Sequence, residues 1–205
     1  MTNEFISSEA RRIRKKYHSS DPFEILKAMH VVIVYSNSYP RDGLKGFCTV
    51  FNRTIYVVIN AKLSREEKRV VAAHELWYII LHWSELLIGA FKDSNVYDAT
   101  GQLECEANLF GADLMITDEE VEECVGSCDA NFFSVASALN IPAPFFAFKL
   151  FSMVKCGFAV RLPVDLDSAF LAKQGGTIHA AQRHEGLCEC QGGIQQGRTD
   201  ASLRL

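Results

Sequence analysis

The sequence lacks any apolar run of the about 18 residues that a membrane-spanning helix needs. Its longest apolar stretches are broken by His74, Glu75, His82 and Lys149. It also lacks a signal-peptide core at its start, since MTNEFISSEARRIRKKYH is polar and mixed in charge. Neither membrane insertion nor export is expected, and a cytoplasmic location follows. There is no basic excess: 21 Lys and Arg against 25 Asp and Glu leave a net charge of -4. That argues against nucleic-acid binding by bulk electrostatics. A paired cysteine framework is missing too, because seven cysteines are an odd number in a chain without an export signal. Reduced thiols are the expectation. Cys124 and Cys128 share one expected helix face, but two thiols alone do not make a zinc site. What is present is ordinary for a globular chain of 205 residues: 48% hydrophobic and 22% charged, enough for one sizeable core or one core plus a small appended unit.

Local patterns give an α+β order. Ile6 to Tyr17 reads as an amphipathic helix with Ala10, Ile13 and Tyr17 inward. Its run Arg11, Arg12, Arg14, Lys15 and Lys16 reads as a solvated face, with a phosphate- or partner-binding patch as the lesser alternative. Asp21-Pro22 is a helix start. Residues 31–36, 46–52 and 54–60 are strand candidates, the last two forming a hairpin around Asn52-Arg53. Ser64 and Glu67 make a capping box opening a helix to about Leu87, with Val70, Val71, His74, Tyr78, Leu81 and His82 on one inward stripe. After a loop over 90–101, residues 102–116 form a second helix with Leu103, Ala107, Phe110 and Leu114 on one face. Thr117 and Glu120 open an acidic helix. Two short helices, 132–140 and 141–154, meet at Ile141-Pro142. The expected organisation is a domain over 1–125, a small helical region over 126–172, and a disordered Gly- and Gln-rich tail over 173–205. The tail holds His179, His184, Cys188 and Cys190, donor types that zinc accepts, in a spacing that matches no common finger.

The stretch HELWY, residues 74–78, carries the chemistry. Residues four apart on a helix project to one side, about 6 Å apart along the axis. His74 and position 78 therefore aim at one point, with Glu75 beside them. In a zinc hydrolase that point is the metal and the glutamate activates its water. A third protein donor must come from elsewhere. Glu104 is the best candidate, and Asn108, one turn on, is placed to bond a ligating histidine and fix its tautomer.

Taken together, DPFEILKAMHVVIVYS, GFCTVFNRTIYVVIN, RVVAAHELWYIILH, ECEANLFGADLMI with TDEEV, and SVASALNIPAPFFAFKL resemble the ImmA/IrrE family of metallo-endopeptidases, over roughly residues 6–172. The resemblance implies a zincin-like fold: a small, mostly antiparallel sheet packed on an active-site helix, plus C-terminal helices. It implies a cytosolic zinc peptidase that cleaves or relieves a helix-turn-helix repressor of a phage or mobile element. By position it makes His74 the first zinc ligand, Glu75 the general base and Glu104 the third ligand, with Asn108 behind them.

Two adjacent positions depart from the family pattern H-E-L-G-H: Trp77 stands for the glycine and Tyr78 for the second ligand histidine. A phenol, with a pKa of about 10, must lose its proton to bind a metal well, so Tyr78 is a surrogate donor or none. An indole at 77 is expected either to fill the cleft or to turn outward. His82 lies about 12 Å along the axis from His74 and cannot share one ion with it on a straight helix. It pairs with Tyr78, holds an outer position, or is a core-edge histidine. Two functional readings stay open: a zinc endopeptidase with an altered site, and a pseudoprotease that binds the repressor as an antirepressor module. A DNA-binding reading of residues 132–154 is a distant third, with only Lys149 and Lys155 as basic residues there.

Overall fold

A computed structural model describes residues 1–83, 101–125 and 131–158. The expectations for the loop over 90–100, for Cys128 and for the tail with its His179, His184, Cys188 and Cys190 lie outside the described residues. Seven helices and one three-stranded sheet are described. In order they are α1 (Asn3–Tyr17), α2 (Pro22–Ala28), β1 (Val32–Ser36), β2 (Gly46–Phe51), β3 (Thr54–Asn60), α3 (Arg65–Leu81), α4 (Gly101–Met115), α5 (Asp118–Val125), α6 (Phe132–Ala138) and α7 (Ala143–Lys155). This is the α+β architecture the sequence pointed to.

The sheet order is β1-β3-β2. β2 and β3 form the expected hairpin, with Phe51 opposite Thr54. Its two turn residues, Asn52 and Arg53, both have left-handed backbones, φ 48° and 63°. Such a pair gives the turn whose twist matches antiparallel strands. β1 runs parallel to β3, with Val34 opposite Val58. One ladder is therefore antiparallel and the other parallel, because the chain crosses to the far edge before the hairpin brings it back to the middle. Val57 and Ile59 of β3 turn fully inward, while Val32 and Val34 of β1 and Phe51 of β2 are exposed on the outer face.

Helix ends follow their caps. Thr2 accepts from Phe5 N and starts α1 earlier than the sequence pattern suggested. Asp21 caps α2 with Pro22 in its first turn. Ser64 and Glu67 form the full capping box of α3. α3 ends at Leu81, short of the expected Leu87, and His82 closes it by donating its N–H to Tyr78 O at 2.9 Å. Asn140, with φ 52°, turns the chain between α6 and α7, whose axes bend by 103°.

One core runs through all seven helices. α3 lies between the sheet and α4, and α1 and α7 pack on α4. Ala10 and Ile13 of α1 are buried as expected, and so are Ala107, Phe110 and Leu114 of α4. Two glycines sit at close approaches. A side chain at Gly46 would meet Val71 Cγ1 at 2.4 Å, where β2 crosses α3. One at Gly111 would meet Phe145 Cζ at 3.0 Å and Ala73 Cβ at 3.3 Å, where α3, α4 and α7 converge. The basic face of α1 is solvated except at Arg14, which is half-buried and donates to Asp113 O. Among the described residues no single helix is long and apolar enough to cross a membrane.

Candidate functional site

A cleft of about 720 Å³ opens between α3, α4 and the chain leading into β2. His74, Glu75 and Tyr78 reach it from α3, and Glu104 and Asn108 from α4. Val70 and Val71 line it as well, so the expected inward stripe of α3 borders the cleft more than the core. The fully buried side of α3 carries Ala72, Ala73, Leu76 and Trp77. Packing on both the sheet and α4 buries the helix on two sides, which a single stripe did not anticipate.

Four of the residues singled out from the sequence, His74, Tyr78, Glu104 and Asn108, meet in one hydrogen-bonded chain. His74 Nδ1 stands 3.0 Å from Asn108 Oδ1. With that oxygen as acceptor, Nδ1 carries the proton and Nε2 faces Glu104 Oε2 at 3.3 Å. Tyr78 donates its hydroxyl to Glu104 Oε1 at 2.7 Å. Burial disfavours a charged imidazole, yet the bond to Glu104 and the charges of Glu75 and Glu104 outweigh it and raise the His74 pKa. Burial likewise works against a charged Glu104, but its contacts with His74 and Tyr78 hold its pKa below the usual range. Burial pushes Glu75 up, against the opposing pull of His74 and of Cys48. Burial and then the bond to Glu104 drive the Tyr78 phenol far above its ordinary value, so it stays protonated.

His82 lies one turn beyond Tyr78, at the end of α3. It caps α3 with its ring centroid 6.0 Å from that of Tyr78, and it does not line the cleft. Trp77 neither fills the cleft nor turns outward. It is wholly buried, and its ring lies on Phe110 of α4 with centroids 4.9 Å apart. Adjacent helical residues point about 100° apart, so position 77 faces α4 while position 78 faces the cleft.

Three contributors escaped the sequence reading. Cys48 of β2 lies close enough to Glu75 for each group to shift the other's pKa. The signal was there in strand alternation: Cys48 is opposite inward Val57 and two residues from Gly46. Arg41 bonds Lys62 O at 2.9 Å and Glu67 at 3.3 Å on the rim of the cleft. Lys45 joins the same rim. Both rim residues lie in a loop, where no periodicity marks them.

Does this set fit the zinc that the resemblance implies? Two donors do. His74 Nε2 and Glu104 Oε2 are spaced as two ligands about 2.0–2.2 Å from one tetrahedral ion would be. The third does not. A catalytic zinc takes three protein donors and keeps one position open. Here the position of the second histidine holds a phenol that is protonated and gives its hydrogen to Glu104, drawing on the carboxylate the ion would share. Among the described residues no group of three or more His, Cys, Asp or Glu side chains is arranged to hold a metal. As arranged, the residues do not form the family's zinc site.

Comparison with known proteins agrees with the geometry of the fold. Residues 29–127 match the family model Peptidase_M78, an IrrE N-terminal-like domain. The chain is also similar to "Uncharacterized immunity region protein 2" of Bacillus phage phi105, with 28% identity over 118 residues, 58% of this chain and 72% of that protein. The matched span holds the whole sheet, α3, α4 and every residue of the cleft. Residues 29–127 thus belong to the ImmA/IrrE family as an IrrE N-terminal-like domain, in agreement with the phage relative.

Proposed function

We propose that this protein is a cytoplasmic immunity-region regulator in which a peptidase fold serves to bind a helix-turn-helix repressor of a phage or mobile element. In this reading it is an antirepressor module, and its hydrolytic site has been converted into a hydrogen-bonded cluster. The observation that carries the reading is the Tyr78 hydroxyl donating to Glu104 at 2.7 Å. That bond ties up the carboxylate and leaves the phenol protonated. The phage immunity-region relative supports the regulatory setting. The cleft itself remains open and lined by side chains of both signs, Lys45 and Arg41 on the rim and Glu104 and Glu75 below.

A second reading, the zinc-dependent endopeptidase, has one observation in its favour: His74 Nε2 and Glu104 Oε2 keep a ligand-like spacing of 3.3 Å while Asn108 fixes the ring. In it Tyr78 is a surrogate donor and Glu75 the base. One experiment separates the two. The full chain, purified without chelators, is mixed with a helix-turn-helix repressor from the same genome, with and without added zinc. Recovery of a complex containing intact repressor, unaffected by zinc, is the expected result. Repressor fragments that appear with zinc and disappear in Glu75→Gln would overturn the binding-module reading in favour of the peptidase.

A further inference from the structure

α7 lies beyond the segment matched to the peptidase family, which ends at residue 127, yet it reaches the two helices that build the cleft. Phe145 of α7 is buried and rests where Gly111 and Ala73 meet. Ala73 adjoins His74 on α3. Gly111 lies three residues beyond Asn108 on α4. The same stretch of α4 is bolted to α7 by buried polar groups. Lys149 Nζ donates to Asp113 Oδ1 at 2.9 Å and to Asp118 Oδ1 at 2.5 Å, and Ser152 Oγ donates to Asp113 Oδ2 at 2.6 Å. Asp113 is two residues from Gly111, so wedge and bolt act on one turn.

We propose that α7 sets the separation of α3 and α4 at the cleft, with Phe145 as the positioning residue for the His74–Asn108 and Tyr78–Glu104 hydrogen bonds. The proposal rests on those residues being the functional cluster. Packed interiors transmit small displacements instead of absorbing them. Bonds of 3.0 Å and 2.7 Å bridge the two helices, and an N–H···O bond weakens beyond about 3.2 Å. A shift of a few tenths of an ångström at Gly111 is therefore enough to loosen the first of them. The consequence is that the C-terminal helical pair governs cleft geometry, and whatever displaces α7 disables the site without touching it.

The test follows the His74 Nδ1–H signal in proton–nitrogen spectra of the full chain, assigned by its loss in Asn108→Ala. Gly111→Ala inserts a methyl against Phe145 and Ala73, and Phe145→Leu shrinks the wedge from the other side. Each is expected to move the signal and to speed its exchange about tenfold, as loss of one typical hydrogen bond would. Gly111→Ala with Phe145→Leu together should restore both, because the added and removed volumes offset. A signal unchanged in the single variants while the thermal midpoint falls would show that Phe145 is only core packing. A double variant no closer to wild type than either single one would also overturn the proposal. If Phe145→Leu fails to fold, Gly111→Ala is read alone, since alanine favours the helix. The signal reports geometry and not activity, so failure to bind a repressor would sink the functional reading and leave this result standing.

Discussion

Replacing Trp77 by the glycine of the family pattern is expected to damage the core where α3 packs on α4. The indole is fully buried and lies on Phe110 at 4.9 Å between centroids. Truncating a buried aromatic costs about 3–5 kcal/mol. Glycine in a helix interior adds about 1 kcal/mol relative to alanine. One term runs the other way. The indole N–H is buried without a hydrogen-bond partner among the described residues, and removing such a group recovers about 1 kcal/mol. The net is a loss of about 3–5 kcal/mol, against a usual total of about 5–15 for a folded protein. For a chain of this size that corresponds to a fall of about 10–15 °C in thermal midpoint. Trp77→Phe keeps a ring on Phe110 and discards the unpaired N–H, so its loss should stay within about 1.5 kcal/mol, the range of conservative core changes. Scanning calorimetry or urea titration of the three proteins decides the matter. A Trp77→Gly midpoint within about 3 °C of wild type would mean that the indole does not hold α3 against α4.

Other outcomes are equally specific. Tyr78→His, made with Trp77 kept, should raise zinc affinity by more than the about 10–100-fold that outer partners contribute, read by competition with a chelating dye; no gain would show that His74 and Glu104 do not form a ligand pair. Lys149→Met leaves Asp113 buried and charged, so it should cost about 3–5 kcal/mol, and adding Asp113→Asn should recover most of that; equal costs for the single and double variants would dissolve the ion cluster as a unit. Thr117→Ala removes the oxygen that accepts from Glu120 N at 3.1 Å and should cost about 1 kcal/mol in urea titration, whereas a loss above about 3 kcal/mol would mean that Thr117 does more than cap α5.

Much of the fold was legible because short-range chemistry and long-range packing agree there. The Ser64 and Glu67 box, the Asp21-Pro22 start and the Asn52-Arg53 turn each appear where the residues indicated. His74, Glu104 and Asn108 met because helical spacing had already put each on a defined face. What stayed hidden depended on neighbours. A short strand pattern over residues 31–36 does not say which strand it will join, so the parallel β1–β3 ladder was invisible. Arg14 looked like one more solvated cation until Asp113 O came to it from a residue 99 positions away. The stripe on α3 predicted one buried face, whereas a helix caught between sheet and α4 has two.

That second buried face changes how the two departures from the family pattern are to be weighed. Side by side in sequence, Trp77 and Tyr78 look like one event, the joint loss of a motif. On the helix they point about 100° apart and answer to different parts of the molecule. Trp77 belongs to the contact with Phe110 in the core, and Tyr78 to the bond with Glu104 in the cleft. A change at 77 therefore acts first on the packing of α3 against α4, and a change at 78 on the donor set of the site. Restoring both positions together would confound a destabilised core with a rebuilt donor set. Restoring Tyr78 alone isolates the one substitution that decides whether this cleft binds a metal or only a partner.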